Sequence, residues 1–349
     1  MKRFKAAVLG GSGFAGAELV RHLLFHPEVE LVRVGAADHI GEPLASALPQ
    51  LEGLSELRFE NPSPEAAVAG VDIVLMGLPQ KASIPVVEAA LASGVKVLDM
   101  SGAFRLREVE QYTRYYGEPH ARPDLLERFV YGLPELNREA IRASATVASP
   151  GCFATTIELG LLPFAKAGWL EGTVSSVGIT GSSGSGALPS PTTHHPVRAG
   201  NLRTYRPLLH QHTPEIEDTL RAAGARTLTL EFVPVSAPLV RGIFATSFIR
   251  VPSEISEEKL KTCLESTYRE ERFVRVPARR LPEVVAVAGS NYAEVGLAFG
   301  AVTDGKRGVT VFSCLDNLVK GGAGQAIQNM NLMLGLPESL TLEGPGAYP

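Results

Sequence analysis

Lys5-Ala6-Ala7-Val8-Leu9-Gly10-Gly11-Ser12-Gly13-Phe14-Ala15-Gly16-Ala17-Glu18-Leu19-Val20 decides the fold. Lys5 to Leu9 is a short apolar run of strand length. Gly11-x-Gly13-x-x-Gly16, equally readable as Gly10-x-x-Gly13-x-x-Gly16, follows it directly. Ala17 to Phe25 then carries apolar Leu19, Val20, Leu23 and Leu24 at helical spacing. Glycines between a strand and a helix permit a tight turn and a close approach of backbone to a pyrophosphate resting on the helix N-terminus. The loop Gly10, Gly11, Ser12, Gly13, Phe14, Ala15 and Gly16 is therefore the expected dinucleotide cradle, in the context that this motif requires.

Outward from the loop, the first ~150 residues alternate strand and helix patterns, which marks an α/β domain with a parallel sheet. Val29–Ala36, Val71–Met76 and Val95–Leu98 read as strands, and Ala82–Ser93 as a helix. Asp38 stands near the end of the second strand, where an acid would bind a ribose 2′-OH. Arg33 and His39 are nearby cations that suit a 2′-phosphate, so the loop alone leaves NAD and NADP both open. From about Thr173 the pattern changes to long alternating segments, Thr227–Val235, Gly242–Val251, Tyr292–Thr303 and Gly308–Cys314. Asp304-Gly305 is a hairpin signal between the last two. Ser256 followed by Glu257 and Glu258 is a helix start. This half reads as a mostly antiparallel sheet with helices on one face, and Lys320–Leu334 as a returning helix.

The chain's 349 residues suffice for two domains. A net charge of -4 gives no general attraction to nucleic acid or to an anionic membrane. No apolar run approaches the ~18 residues of a membrane span, and no apolar segment with a cleavage site precedes the first strand. Three scattered cysteines, Cys152, Cys263 and Cys314, argue against a disulfide framework and for a reducing, cytoplasmic setting.

Cys152 follows Ala145-Thr146-Val147-Ala148-Ser149 and a Pro150-Gly151 turn, and Phe153–Leu159 is helix-like. A thiol in the first turn of a helix faces the positive end of the helix dipole, which favours the nucleophilic thiolate. Farther along, Gly172 to Pro214 contains no Asp or Glu, where the chain average of 37 in 349 would place about four or five. The same stretch holds His194, His195, His210 and His212 with Arg198, Arg203 and Arg206, a basic patch suited to an anionic partner. In His210-Gln211-His212-Thr213-Pro214-Glu215, Thr213 reads as an N-cap and Pro214 as the first helical residue. His212 then stands on a fixed backbone as a candidate acid/base for Cys152. A zinc site built on His-x-His and Cys152 lacks the usual Cys pair or His-Glu-x-x-His spacing, and no metal is expected.

Together the Gly10–Gly16 loop, Asp99-Met100-Ser101-Gly102-Ala103-Phe104-Arg105, Tyr131-Gly132-Leu133-Pro134-Glu135, Pro150-Gly151-Cys152 and His210-Gln211-His212-Thr213-Pro214-Glu215-Ile216 resemble the N-acetyl-γ-glutamyl-phosphate reductase family. That family is related to the aspartate-semialdehyde and glyceraldehyde-phosphate dehydrogenases. The resemblance spans essentially the whole chain. It implies an α/β protein with a Rossmann-type domain over 1–151 and 317–349, and an α+β catalytic domain with a mostly antiparallel sheet over 152–316. Where arginine-pathway members carry a Ser-Gly-Ala-Gly-Arg-type loop and an Asn-Glu-Asn segment, this chain has Gly181-Ser182-Ser183-Gly184-Ser185-Gly186-Ala187 and His194-His195-Pro196-Val197-Arg198-Ala199-Gly200-Asn201-Leu202-Arg203. That looks like the lysine-biosynthesis branch, whose substrate is an aminoadipyl 6-phosphate held on a small acidic carrier protein, some members also reducing carrier-bound glutamyl phosphate.

The resemblance further implies NADPH as reductant and Cys152 as thioester-forming nucleophile, with His212 as acid/base. It implies Asn317 and Gly321, with Gly322, as further cofactor contacts. Ser101, Arg105, His210 and Glu215 become candidate substrate contacts, and Arg198, Arg203 and Arg206 candidate carrier contacts. A homo-oligomer, dimer or tetramer, is expected. The rival substrates are free N-acetylglutamyl phosphate and aspartyl phosphate. A non-catalytic NADP sensor on the same fold would need neither Cys152 nor His212.

Overall fold

The computed structural model describes residues 3–347, so Met1 and Lys2, where the N-terminal reading begins, lie outside the described residues. Two compact units are present. One runs to Pro150 and takes in Gly322–Gly344; the other holds Gly151–Gly321 and the residues from Pro345.

The first unit is a doubly wound α/β domain. Its elements are β1 (Phe4–Leu9), α1 (Phe14–Leu24), β2 (Val29–Gly35), β3 (Phe59–Glu60), α2 (Pro64–Val68), β4 (Ile73–Met76), α3 (Gln80–Ser93), β5 (Lys96–Asp99), α4 (Val109–Tyr116), β6 (Val130–Tyr131), α5 (Pro134–Ala143) and β7 (Thr146–Ala148). The strands form one parallel sheet in the order β3-β2-β1-β4-β5-β7-β6. Strand order reverses between β1 and β4, so the glycine loop leaves β1 at the point where such sheets bind ligands. Central strands buried on both faces explain the unbroken apolar runs at Ala6–Leu9 and Ile73–Met76. The C-terminal helix Gly324–Met333 is buried on all sides and packs on α1, α5 and β5. Its Asn329 donates to the Gly132 carbonyl, and Asn331 bonds His26.

The second unit contains α6 (Cys152–Lys166), β8 (Gly172–Thr180), α7 (His195–Arg198), β9 (Arg203–Thr204), α8 (His212–Ala222), β10 (Leu228–Ser236), β11 (Ile243–Pro252), α9 (Glu257–Tyr268), β12 (Val274–Arg275), β13 (Ala293–Thr303) and β14 (Lys306–Leu315). Its sheet runs β12-β13-β14-β11-β8-β10-β9. It is mixed: β8 with β10 and β12 with β13 are parallel, the other pairings antiparallel. In β11, burial alternates residue by residue, so one face meets the core and the other solvent. The Asp304-Gly305 turn joins β13 to β14 with both residues at positive φ, as a primed hairpin turn requires. Ser256 caps α9 by accepting from the Lys259 amide. Every residue of α6 from Phe153 to Ala165 is buried, and the helix packs on β11, β14, α8 and α9. A helix buried all round belongs inside a core, and this one carries Cys152 as its first residue.

Candidate active site

Gly151 is the N-cap of α6, with extended backbone (φ -71, ψ 151) and no side-chain cap. The N-cap residue itself thus supplies no side chain to the amides of the first turn, which begins at Cys152. Three neighbours close on this junction. The Gly151 amide donates to Glu215 Oε1 at 2.7 Å. The His212 ring occupies the space where a side chain at 151 would begin, so that a Cβ there would overlap His212 Nε2. Behind the thiol, a Cβ on Gly321 would lie 2.9 Å from the Cys152 Cβ. Only glycine at 151 lets the imidazole reach the residue before the thiol, and only glycine at 321 leaves room for the cysteine.

His212 and Glu215 both stand on the first turn of α8, three residues apart and hence on one face. The helix begins at His212, one residue before the expected Thr213 cap, with Gln211 as N-cap. A turn causes the earlier start: the Thr213 amide donates to the His210 carbonyl, which draws His212 into the helix. His210 Nδ1 accepts from the His212 amide at 3.2 Å. The His210 ring is 4% exposed and meets Phe153, Tyr205, His212 and Phe232 edge-on. Burial, with Arg206 nearby, holds its pKa down at about 4, so it stays neutral. His210 therefore supports His212 from behind, and Glu215, 1% exposed, braces Gly151. Both residues, expected to meet substrate, make these positioning contacts.

Tyr205 was not singled out by sequence. Burial first, and then the charge of Cys152, push its phenol well above the usual range, while Arg198 pulls it back. The phenol is therefore within electrostatic reach of both residues. The signal available was an aromatic inside an acid-free, arginine-rich stretch. The three arginines of that stretch diverge. Arg206 is exposed and donates to Gln211, Arg203 lies half-buried in β9 opposite Ser236, and Arg198 is buried. Asn317 accepts from the Gly242 amide and donates to Ser183 Oγ. Its amide thereby ties the Ser182–Ser185 turn to β11, and the turn is also held by the Leu239 and Val240 carbonyls.

In the first unit, Ser101 donates to Asp99 Oδ2 and accepts from the Ala103 amide. Burial raises the Asp99 pKa to about 6. Arg105 donates to the Ser149 and Met100 carbonyls and braces the chain beyond β5. The glycine loop has the shape that a dinucleotide needs. Gly10 is at φ +81, and a Cβ on Gly16 would overlap the Gly10 carbonyl oxygen. α1 starts from Gly13 with no side-chain cap and no acid in its first turn. Uncapped amides at the positive end of a helix suit a pyrophosphate. Ser12 Oγ donates to Asp38 Oδ1 at 2.6 Å, which brings Asp38 to the loop. Arg33, one of the two cations weighed for a 2′-phosphate, donates to the Ala67 and Ala69 carbonyls and pairs with Glu60. Among the described residues, no group of three His, Cys, Asp or Glu could hold a metal ion. No helix among them is long and apolar enough to cross a membrane.

Residues 5–144 match the semialdehyde dehydrogenase NAD binding domain, and residues 152–317 match the semialdehyde dehydrogenase dimerisation domain. A protein of Symbiobacterium thermophilum named N-acetyl-gamma-glutamyl-phosphate reductase is 41% identical over 353 residues, covering 99% of each chain. The chain belongs to the N-acetyl-γ-glutamyl-phosphate reductase family. A relative from Thermomicrobium roseum, provisionally named a LysW-L-2-aminoadipate 6-phosphate reductase, is 40% identical over 350 residues, with 98% of each chain covered. Membership makes this an oxidoreductase of the acyl-phosphate-reducing, aldehyde-forming type, with an NAD(P)-binding domain and a place in amino-acid biosynthesis. The fold also matches aspartate semialdehyde dehydrogenase II of Vibrio cholerae (TM-score 0.72, 17% identity, 96% of this chain and 99% of that one). The Candida albicans enzyme with NADP matches similarly (TM-score 0.69, 16% identity, 95% and 99%).

Proposed function

We propose that this reductase converts a carrier-protein-bound 2-aminoadipyl 6-phosphate to the semialdehyde in lysine biosynthesis, working in the cytoplasm as a homo-oligomer with NADPH. The observation that carries the chemistry is the His212 ring seated against Gly151, the residue that precedes the Cys152 nucleophile. The carrier reading is supported by the acid-free basic stretch from Gly172 to Pro214 and by the Thermomicrobium roseum relative. NADPH is supported by kinship with this family and by the NADP bound to the Candida albicans neighbour.

In this scheme the Cys152 proton passes to His212 Nε2, and the thiolate sulfur attacks the acyl-phosphate carbonyl carbon. The carbon–oxygen bond to phosphate breaks, the His212 proton leaves with the phosphate, and a thioester remains on Cys152. A dinucleotide held by the Gly10–Gly16 loop would supply the hydride that reduces the thioester carbonyl carbon. The resulting oxyanion would be met by His212 and by the positive N-terminal end of α6. It collapses to the aldehyde as the carbon–sulfur bond breaks, and the thiolate regains one proton from solvent. Glu215 and His210 hold the geometry on either side of His212, and Gly321 gives the sulfur its seat.

Free N-acetylglutamyl phosphate, giving an arginine-pathway enzyme, is the second reading, favoured by the equally similar Symbiobacterium thermophilum relative. NADPH oxidation with each acyl phosphate offered separately tests the two. Turnover only on the carrier supports the lysine assignment. Turnover with the free acetylated substrate alone replaces it. Carrying out both assays with NADH as well tests the reductant.

A further inference from the structure

Arg198 ends the single turn of α7 and is 7% exposed. Neither of its terminal nitrogens, Nη1 nor Nη2, has a hydrogen-bond partner. No acid stands anywhere between Gly172 and Pro214 to pair with it, and no ion pair to it exists among the described residues. A buried guanidinium without a counter-charge is costly, and a bound anion would remove that cost. Burial also draws the Arg198 pKa below its ordinary value, the same cost in another form.

We propose that Arg198 is the receptor for the α-carboxylate of the substrate, its two open Nη groups taking the two carboxylate oxygens side by side. A planar fork with both prongs free matches a planar carboxylate in bidentate fashion. The location agrees. The Tyr205 phenol lies within electrostatic reach of Arg198 on one hand and of Cys152 on the other. The Tyr205 ring meets His210 at 5.8 Å, and His210 meets His212 at 4.7 Å, a row of rings leading toward the thiol. An amino-dicarboxylate monophosphate laid along this row would have its acyl phosphate at Cys152 and its α-carboxylate at Arg198. The departing phosphate leaves from the carbonyl that the thiol attacks, so a carboxylate fits Arg198 better than phosphate does. This separates Arg198 from Arg203 and Arg206, which remain on the more exposed part of the segment. The inference rests on the reading of Cys152 as the group that attacks an acyl phosphate.

The experiment is calorimetric binding of N-acetylglutamate, N-acetyl-2-aminoadipate, their α-carboxamides and inorganic phosphate to the full chain, wild type, Arg198→Lys and Arg198→Gln. The wild type is expected to bind at least one acid tenfold or more tightly than its α-carboxamide. Arg198→Gln should erase that ratio while leaving the carboxamide unchanged, and Arg198→Lys should restore part of it. Equal affinity of wild type for acid and carboxamide, or no binding of either acid, overturns the proposal, and this comparison holds even where Arg198→Gln does not fold. Loss of phosphate affinity alone in Arg198→Gln also overturns it and makes the site a phosphate receptor. Arg198-dependent discrimination without turnover of any acyl phosphate would sink the thioester scheme and leave the carboxylate site standing. Turnover with discrimination that ignores Arg198 would do the reverse.

Discussion

The junctions β1 to α1 and β7 to α6 share a backbone design and differ in what fills the space around it. Both helices start from an uncapped glycine in extended conformation, Gly13 (φ -76, ψ 161) and Gly151 (φ -71, ψ 151). At the first, the loop folds on itself, with Gly16 against the Gly10 carbonyl, and the helix amides stay open. At the second, neighbours come in from outside: His212 against Gly151, Glu215 on its amide, Gly321 against Cys152. A positive helix start is thus a general device. Left open it suits an anion; crowded by an imidazole and supplied with a thiol it becomes a candidate reaction centre.

The largest expected effect breaks the second junction alone. Cys152→Ala should lower kcat by roughly 10⁴-fold or more, while dinucleotide binding, followed by fluorescence titration, stays intact. Substantial residual turnover would remove the thioester. Gly151→Ala sharpens the comparison, because the new methyl must displace the His212 ring. It should cost about 1–3 kcal/mol of stability and on the order of 10²-fold in kcat, read by thermal melts and initial rates. Normal activity would show that the imidazole need not sit there. The mirror change, Gly16→Ala, should raise the dinucleotide Kd by about tenfold or more and leave the rate of Cys152 alkylation unchanged. If both readouts moved together, the junctions would not be separable.

The smallest effect concerns the support behind His212. His210 has a pKa of about 4 when folded against 6.5 for an ordinary histidine, so the unfolded chain binds more protons between these values. Stability should therefore fall as pH drops from about 6.5 toward 4. His210 contributes about 2 kcal/mol of that loss by pH 5. His22, held near 4 chiefly by burial, adds a similar slope in the first unit. His210→Gln should flatten the pH dependence of Tm without abolishing it. An unchanged slope would contradict the buried neutral state of this ring.

The parallel sheet, the glycine loop, the Asp304-Gly305 hairpin and the helix starting at Cys152 were all legible in sequence, because each is written in local periodicity and turn chemistry. The mixed character of the second sheet was not. Whether β8 pairs parallel with β10 depends on how the intervening α7 and α8 carry the chain back, which no alternating pattern records. Likewise Arg198, Arg203 and Arg206 look alike as letters, and only tertiary burial divides the buried, unpaired Arg198 from half-buried Arg203 and exposed Arg206. His210 and His212 are one residue apart, and the turn from Thr213 to the His210 carbonyl decides which ring reaches Gly151. Tyr205 lay in plain view but outside any motif.

Because α6 is enclosed from Phe153 to Ala165, the position of the thiol is a property of the hydrophobic core and not of a loop. The segment from Gly181 to Arg206 is, by contrast, mostly surface. Substrate range can thus drift by exchange of surface residues while the reacting atom stays fixed. A smaller side chain deep in α6, at Leu161 or Phe164, would therefore be felt at the thiol as well as in the melting point.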